Sequence, residues 1–147
     1  MEIYLLNPKE DNSKFLSYLE TVDWNAGKIL YKVIESNSIK EKLGDDANIF
    51  YSKEGQDFVG FFTIVNQDYI SLPELEPFIA MVWVDPKYRG RGISRKFIDH
   101  AEKIIGKGPV HILTQHKGLY EKMGYKLIDQ FDDSIHDMDY LYYKNLG

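Results

Sequence analysis

The chain has 147 residues, 18 Lys and Arg against 23 Asp and Glu, and a formal charge of −5, which disfavours the basic surface that nucleic-acid binding needs and leaves a length suited to one domain over residues 1–147. It contains no cysteine, so disulfide frameworks, thiolate zinc sites and cysteine nucleophiles are excluded together. The N-terminus lacks the basic-then-apolar pattern of a signal peptide and no apolar run approaches the length of a bilayer span, so the expectation is a cytoplasmic protein without a membrane partner.

Met1 to Leu6 reads as a strand ending at Asn7-Pro8, where proline removes a ladder donor. Asp11 or Asn12 caps a helix running to about Val22, with Phe15, Leu16 and Leu19 on one face. A second helical stretch spans Ala26 to Leu43 with a break near Asn37-Ser38. Ala47 to Ser52 and Phe58 to Asn66 are strands joined by Lys53-Glu-Gly-Gln-Asp57, a hairpin signal. Pro73 and Pro77 bracket a loop before the apolar strand Phe78-Ile-Ala-Met-Val-Trp-Val84.

That strand runs into Asp85-Pro86-Lys87-Tyr88-Arg89-Gly90-Arg91-Gly92-Ile93-Ser94. Glycines allow close backbone approach, the free N–H groups of a following helix point at an anion, and two arginines share the turn, which together indicate a phosphate-bearing ligand. The helix is read from Ile93, Phe97, Ile98, Ala101, Ile104 and Ile105 at helical spacing, stopped by Gly106-Lys107-Gly108-Pro109. A P-loop would need Gly-x-x-x-x-Gly-Lys-Ser/Thr, and a dinucleotide fingerprint a third glycine with a downstream acid. Neither is present. A short strand, Val110 to Leu113, then precedes a Tyr-bearing short helix, and Lys126 to Phe131 and Met138 to Tyr143 are two more strands with Asp132-Asp133-Ser134 as their turn. Strands interleaved with helices imply one mixed α/β sheet with helices on both faces.

Arg89-x-x-Gly92-x-Ser94 resembles the Arg/Gln-x-x-Gly-x-Gly/Ala signature of the GCN5-related N-acetyltransferases (GNAT), with Ser94 where that family most often has glycine or alanine. Thr114-Gln-His-Lys-Gly-Leu-Tyr-Glu-Lys-Met-Gly-Tyr125 is similar to the family's second signature, although the asparagine many relatives carry before it is absent and His116 stands in that neighbourhood. The resemblance implies a GNAT-like α/β fold, a central, mostly antiparallel sheet of about six to seven strands, and acetyl-CoA as the acetyl donor. It places the cofactor's pyrophosphate on Arg89, Gly90, Arg91, Gly92, Ile93, Ser94 and Arg95, and its pantetheine arm along the backbone of Val82, Trp83 and Val84, whose side chains are expected in the core. It makes Tyr120 a cofactor contact and the proton donor to the leaving thiolate, since a phenol stays protonated at neutral pH.

Glu74 and Glu76 lie on the side from which an amine approaches in that architecture and are the candidate bases. His116 titrates in a useful range and, with Trp24, is a candidate for the acceptor side. The four histidines show no metal-ligand spacing, so no metal is expected. The expected activity is acetyl transfer to a primary amine of a small molecule or peptide by direct attack, in a monomer or homodimer. The alternatives are a non-catalytic acyl-CoA-binding regulatory module and a protein-interaction domain on the same scaffold.

Overall fold

The computed structural model describes residues 1–133 and 137–147. The elements in chain order are β1 (Glu2–Leu5), α1 (Ser13–Leu19), α2 (Asn25–Glu35), α3 (Ile39–Leu43), β2 (Asn48–Glu54), β3 (Asp57–Val65), β4 (Phe78–Val84), α4 (Ile93–Ile105), β5 (Pro109–Thr114), β6 (Lys126–Asp133) and β7 (Asp137–Asn145). The strands form a seven-stranded sheet in the order β1-β2-β3-β4-β5-β7-β6. β4 and β5 are parallel, while β1–β2, β5–β7 and β6–β7 are antiparallel. The mixed, mostly antiparallel α/β sheet expected from the sequence is therefore present. Among the described residues no helix is long and apolar enough to cross a membrane.

The chain packs as two compact units, one made of Met1–Thr63 with Met81–Ser94 and the other of Ile64–Ala80 with Arg95–Gly147. In the first, Leu6, Phe15, Leu19, Val22, Leu30, Val33, Ile49 and Phe61 form a buried cluster. Phe15 stacks on Tyr51 at 5.0 Å between ring centroids, and Phe50 on Phe62 at 4.9 Å. Gly27 is required by closeness: a Cβ there would lie 2.9 Å from Val22 Cβ, so the start of α2 seats against the chain leaving α1 only without a side chain. In the second unit Phe97, Ile98, Ala101, Val110, Ile112, Leu141 and Tyr142 are buried.

Several boundaries differ from the sequence reading. α1 stops at Leu19, because Thr21 and Val22 donate three residues back, to Tyr18 and Leu19 carbonyls, and tighten the chain out of the helix. The expected break in the second helical stretch is at Asn37, which takes φ 55° between α2 and α3, a conformation asparagine tolerates. The β2–β3 connection is two residues, Gly55 and Gln56, shorter than the five-residue signal. Ile104 is 49% exposed, off the buried face of α4 set by Ile93, Phe97, Ile98 and Ala101. The Tyr-bearing segment is a single 3₁₀ turn, Tyr120–Met123, ended by Gly124. Asp132 and Asp133 extend β6 instead of turning, and Ser134 lies outside the described residues.

Candidate active site

β4 delivers the first part of the site. Phe78, Ile79 and Ala80 are buried, then Met81 takes φ 53°, and Val82, Trp83 and Val84 are half-buried. A non-glycine residue in the left-handed region inside a strand is sterically costly and is held only by its surroundings. Trp83 packs against the core as expected, its ring 6.4 Å from that of buried Phe61, while Val82 and Val84 are only half-buried. β4 pairs with β5 at Phe78↔His111, the first residue of β4.

The chain leaving β4 is fixed by side chains from its own unit. Asp85 N–H donates to Val59 O at 2.7 Å, and its carboxylate accepts from Lys87 N–H at 3.0 Å, opening the 3₁₀ turn Pro86–Tyr88. Trp83 Nε1 donates to Tyr18 Oη at 3.1 Å, and Tyr18 donates in turn to Asp85 Oδ2 at 2.8 Å. Burial, together with the Asp85 bond, holds the Tyr18 phenol well above its ordinary range, so it remains a donor. Trp24, expected on the acceptor side, stands at the N-cap of α2 and stacks on Trp83 at 5.9 Å and 18°.

This framework sets Arg89. Its Nε donates to Val84 O at 2.9 Å and its guanidinium lies 4.9 Å from the centroid of Trp83, which leaves the remaining N–H donors for a ligand. Arg91 lies over Tyr88 at 5.2 Å. Neither arginine has a carboxylate partner among the described residues. Gly90 and Gly92 take φ 81° and 72°, and a Cβ built at either meets nothing within 4 Å. The glycines are thus needed for backbone conformation, and the space beside them is open. Ile93 is buried and Ser94 half-buried at the start of α4. Arg95 is exposed and its Nη2 donates to Lys122 O at 2.8 Å, bracing the Tyr-bearing turn in its own unit.

In that unit Tyr120 is 5% exposed, with Tyr125 at 6.2 Å and Tyr142 at 6.0 Å between ring centroids. Burial pushes its phenol up to about 12. Its hydroxyl has no hydrogen-bond partner among the described residues, whereas Tyr125 donates to Glu102 at 2.7 Å and Tyr142 to Glu121 at 2.9 Å. Lys144 closes the turn by donating to Met123 O at 3.0 Å and to Glu102. Glu74 and Glu76 are exposed in the loop before β4 and make no hydrogen bond or ion pair among the described residues. His116 is exposed, and among the described residues only its backbone N–H is engaged, donating to Thr114 Oγ1 at 3.1 Å. Among the described residues no group of three or more potential ligands could hold a metal ion.

The Acetyltransferase (GNAT) domain family matches residues 45–127, more than half of the chain. The chain belongs to the GNAT acetyltransferases, and is an acyltransferase. Its GNAT fold is shared with solved structures of low sequence identity. The aminoglycoside 6'-N-acetyltransferase from Enterococcus faecium has a TM-score of 0.73 at 16% identity, with 100% of this chain and 98% of that one covered. An aminoglycoside 6'-N-acetyltransferase complexed with coenzyme A has a TM-score of 0.70 at 15% identity, with 100% and 98% covered. The spermidine/spermine N-acetyltransferase from Vibrio cholerae has a TM-score of 0.66 at 13% identity, with 98% and 91% covered. A comparison with curated proteins finds no match.

Two groups were missed in the sequence. The sequence offers Trp83 only a backbone role, since nothing local links its ring to Tyr18, 65 positions away. The other is Asp139 in β7, which shares strand parity with the buried Leu141. An acidic residue on the apolar parity of a strand is the signal that would have found it.

Proposed function

We propose that this GNAT protein is an acetyl-CoA-dependent N-acetyltransferase that passes the acetyl group directly to a primary amine of a small-molecule or peptide acceptor. The observation that carries the reading is the turn from Arg89 to Gly92: two arginines without carboxylate partners among the described residues, around glycines with open space, at the opening of a thirteen-residue helix. Such a turn supplies backbone N–H groups and guanidinium forks to a pyrophosphate. The relative solved with coenzyme A supports the donor. Relatives acting on aminoglycosides and on spermidine support an amine acceptor.

In this reading the amine lone pair attacks the thioester carbonyl carbon, the C–N bond forms, and the C–S bond breaks with its electron pair leaving on sulfur. Tyr120, kept protonated by burial, gives its proton to that thiolate, and the amine's surplus proton passes to a base or to water. Backbone N–H groups of Val82, Trp83 and Val84 stabilise the carbonyl oxygen as it becomes negative. The absence of cysteine favours direct attack over a thioester-linked acyl-enzyme. Calorimetry with coenzyme A, followed by thiol release from acetyl-CoA across a panel of amines, tests the proposal. Tight binding without thiol release for any amine would favour the non-catalytic acyl-CoA-binding module, and no binding at millimolar concentration would remove both readings.

A further inference from the structure

One buried carboxyl in the second unit is left without a basic partner by the described residues. Asp139 is 0% exposed. Its Oδ1 accepts from Tyr69 Oη and, at 2.9 Å, from Gln115 Nε2, which also reaches Tyr69 Oη at 3.1 Å. Its Oδ2 is buried with no hydrogen-bond partner among the described residues. Asp68 stands beside this group: its Oδ1 accepts from Tyr69 N–H at 2.7 Å, burial pushes its carboxyl up to about 6, and the Asp139 charge adds to the rise. No Lys, Arg or His among the described residues pairs with either carboxylate.

Taking a carboxylate out of water costs several kcal/mol unless a cation and hydrogen bonds replace the water. Neutral donors from Tyr69 and Gln115 meet only one of the two oxygens. The site is also held in shape. The loop carrying Asp68 and Tyr69 is braced by Gln67, whose Nε2 donates to the carbonyls of Asn66, Leu72 and Leu75 at 2.8, 2.9 and 3.1 Å. Tyr69 is 55% exposed although its hydroxyl ends on Asp139, so its ring forms the cover between solvent and the carboxylate. The oxygen left open, the second negative charge and the aromatic cover all call for the same partner, a compact cation with several N–H donors. A primary ammonium has three and favours an aromatic face. A divalent metal would require six or more oxygens, and Gln115 already directs an N–H donor at Oδ1.

We propose that Asp139, with Asp68 beside it and Tyr69 as its displaceable cover, binds a cationic amine group of the acceptor. This rests on the acetyl-transfer reading above and names the charge class that reading leaves open. The full chain is titrated with 1,3-diaminopropane by calorimetry at pH 7.5, and coenzyme A binding is measured on each variant alongside. Wild type is expected to bind the diamine, and Asp139→Asn to bind it at least about tenfold more weakly, as for loss of a hydrogen bond to a charged group, with coenzyme A affinity kept. Equal diamine affinity in wild type and Asp139→Asn, or no binding to wild type, overturns the proposal. If the asparagine variant fails to fold, Tyr69→Phe decides. Removing the hydroxyl that ties the cover to Oδ1 makes the cover easier to displace and should tighten diamine binding several-fold, and unchanged or weaker affinity overturns the amine site. Failure of wild type to bind coenzyme A would instead remove the acetyl-transfer reading and is read independently of the diamine result.

Discussion

The turn after β4 and the acid group around Asp139 are opposite solutions to placing charge. In the turn, arginines stand exposed and are held by neutral neighbours: Val84 O and the Trp83 ring for Arg89, the Tyr88 ring for Arg91. Around Asp139 the carboxyl is buried, the donors are neutral, and one oxygen has no partner among the described residues. Exposed cations keep their hydration until an anion arrives, so they cost the fold little. Buried anions penalise the fold until a cation arrives. The first arrangement suits a ligand held by many phosphate contacts, and the second suits selection of one charged group.

If that division is right, variants in the two regions separate kinetically. The largest effect is expected at Tyr120, in the same unit as the acid group. Tyr120→Phe keeps the buried ring, so the fold and coenzyme A affinity survive, while turnover with a true acceptor falls by about 10²–10⁴-fold, the range for a lost general acid. Wild-type turnover in the phenylalanine variant would assign Tyr120 to packing. An effect confined to KM would make it a positioning residue.

How much of this was visible in the sequence depends on how local each feature is. The turn from Asp85 to Ser94 is contiguous, so glycines, arginines and the helix that follows read directly, and the break at Asn37 and the stop at Gly106 are set by single residues. The end of α1 is not legible in the sequence, because it depends on backbone bonds to Tyr18 and Leu19 and not on a breaker residue. The left-handed residue inside β4, Met81 at φ 53°, is not legible, because methionine gives no sign of it. Asp139, Tyr69 and Gln115 are brought together by sheet order, from positions up to 70 residues apart. Glu74 and Glu76 are adjacent to β4 in sequence yet both are exposed, whereas the acid that burial perturbs is Asp68.

A smaller effect is expected in the turn. Arg89→Ala should weaken coenzyme A binding by about 10–100-fold, as for a hydrogen bond to a charged group, and leave turnover at saturation nearly unchanged. Trp83→Leu keeps an apolar side chain but removes the ring under Arg89 and the donor to Tyr18. It should weaken coenzyme A by about 3–10-fold, the scale of a partly exposed cation–π contact with its ordering effect. A titration monitored by protection from thermal unfolding reads both. If Trp83→Leu affects the KM for the amine and not that for acetyl-CoA, the ring belongs to the acceptor side with Trp24, and the division between the regions fails.

The smallest effect is a stability change of unusual sign. Asp68 faces Tyr69 and Asp139, and burial raises its carboxyl to about 6 from an ordinary value of 3.8. Between these values the folded state binds more protons than the unfolded one, so this group's contribution is full below about pH 4 and is lost as pH rises through about 6. At pH 7 the ionised Asp68 therefore destabilises the fold. Asp68→Asn retains an oxygen for Tyr69 N–H and removes the charge, and should stabilise the protein by about 1–2 kcal/mol at pH 7 after allowance for partial solvent access. That corresponds to roughly 2–6 °C in melting temperature, shrinking toward zero by pH 4. The same variant should bind 1,3-diaminopropane more weakly, because the charge that penalises the empty fold is the charge the amine would meet. Melting curves of wild type and Asp68→Asn at pH 4, 5.5 and 7 test the sign, and a difference that is destabilising or independent of pH would remove Asp68 from the coupled acid group.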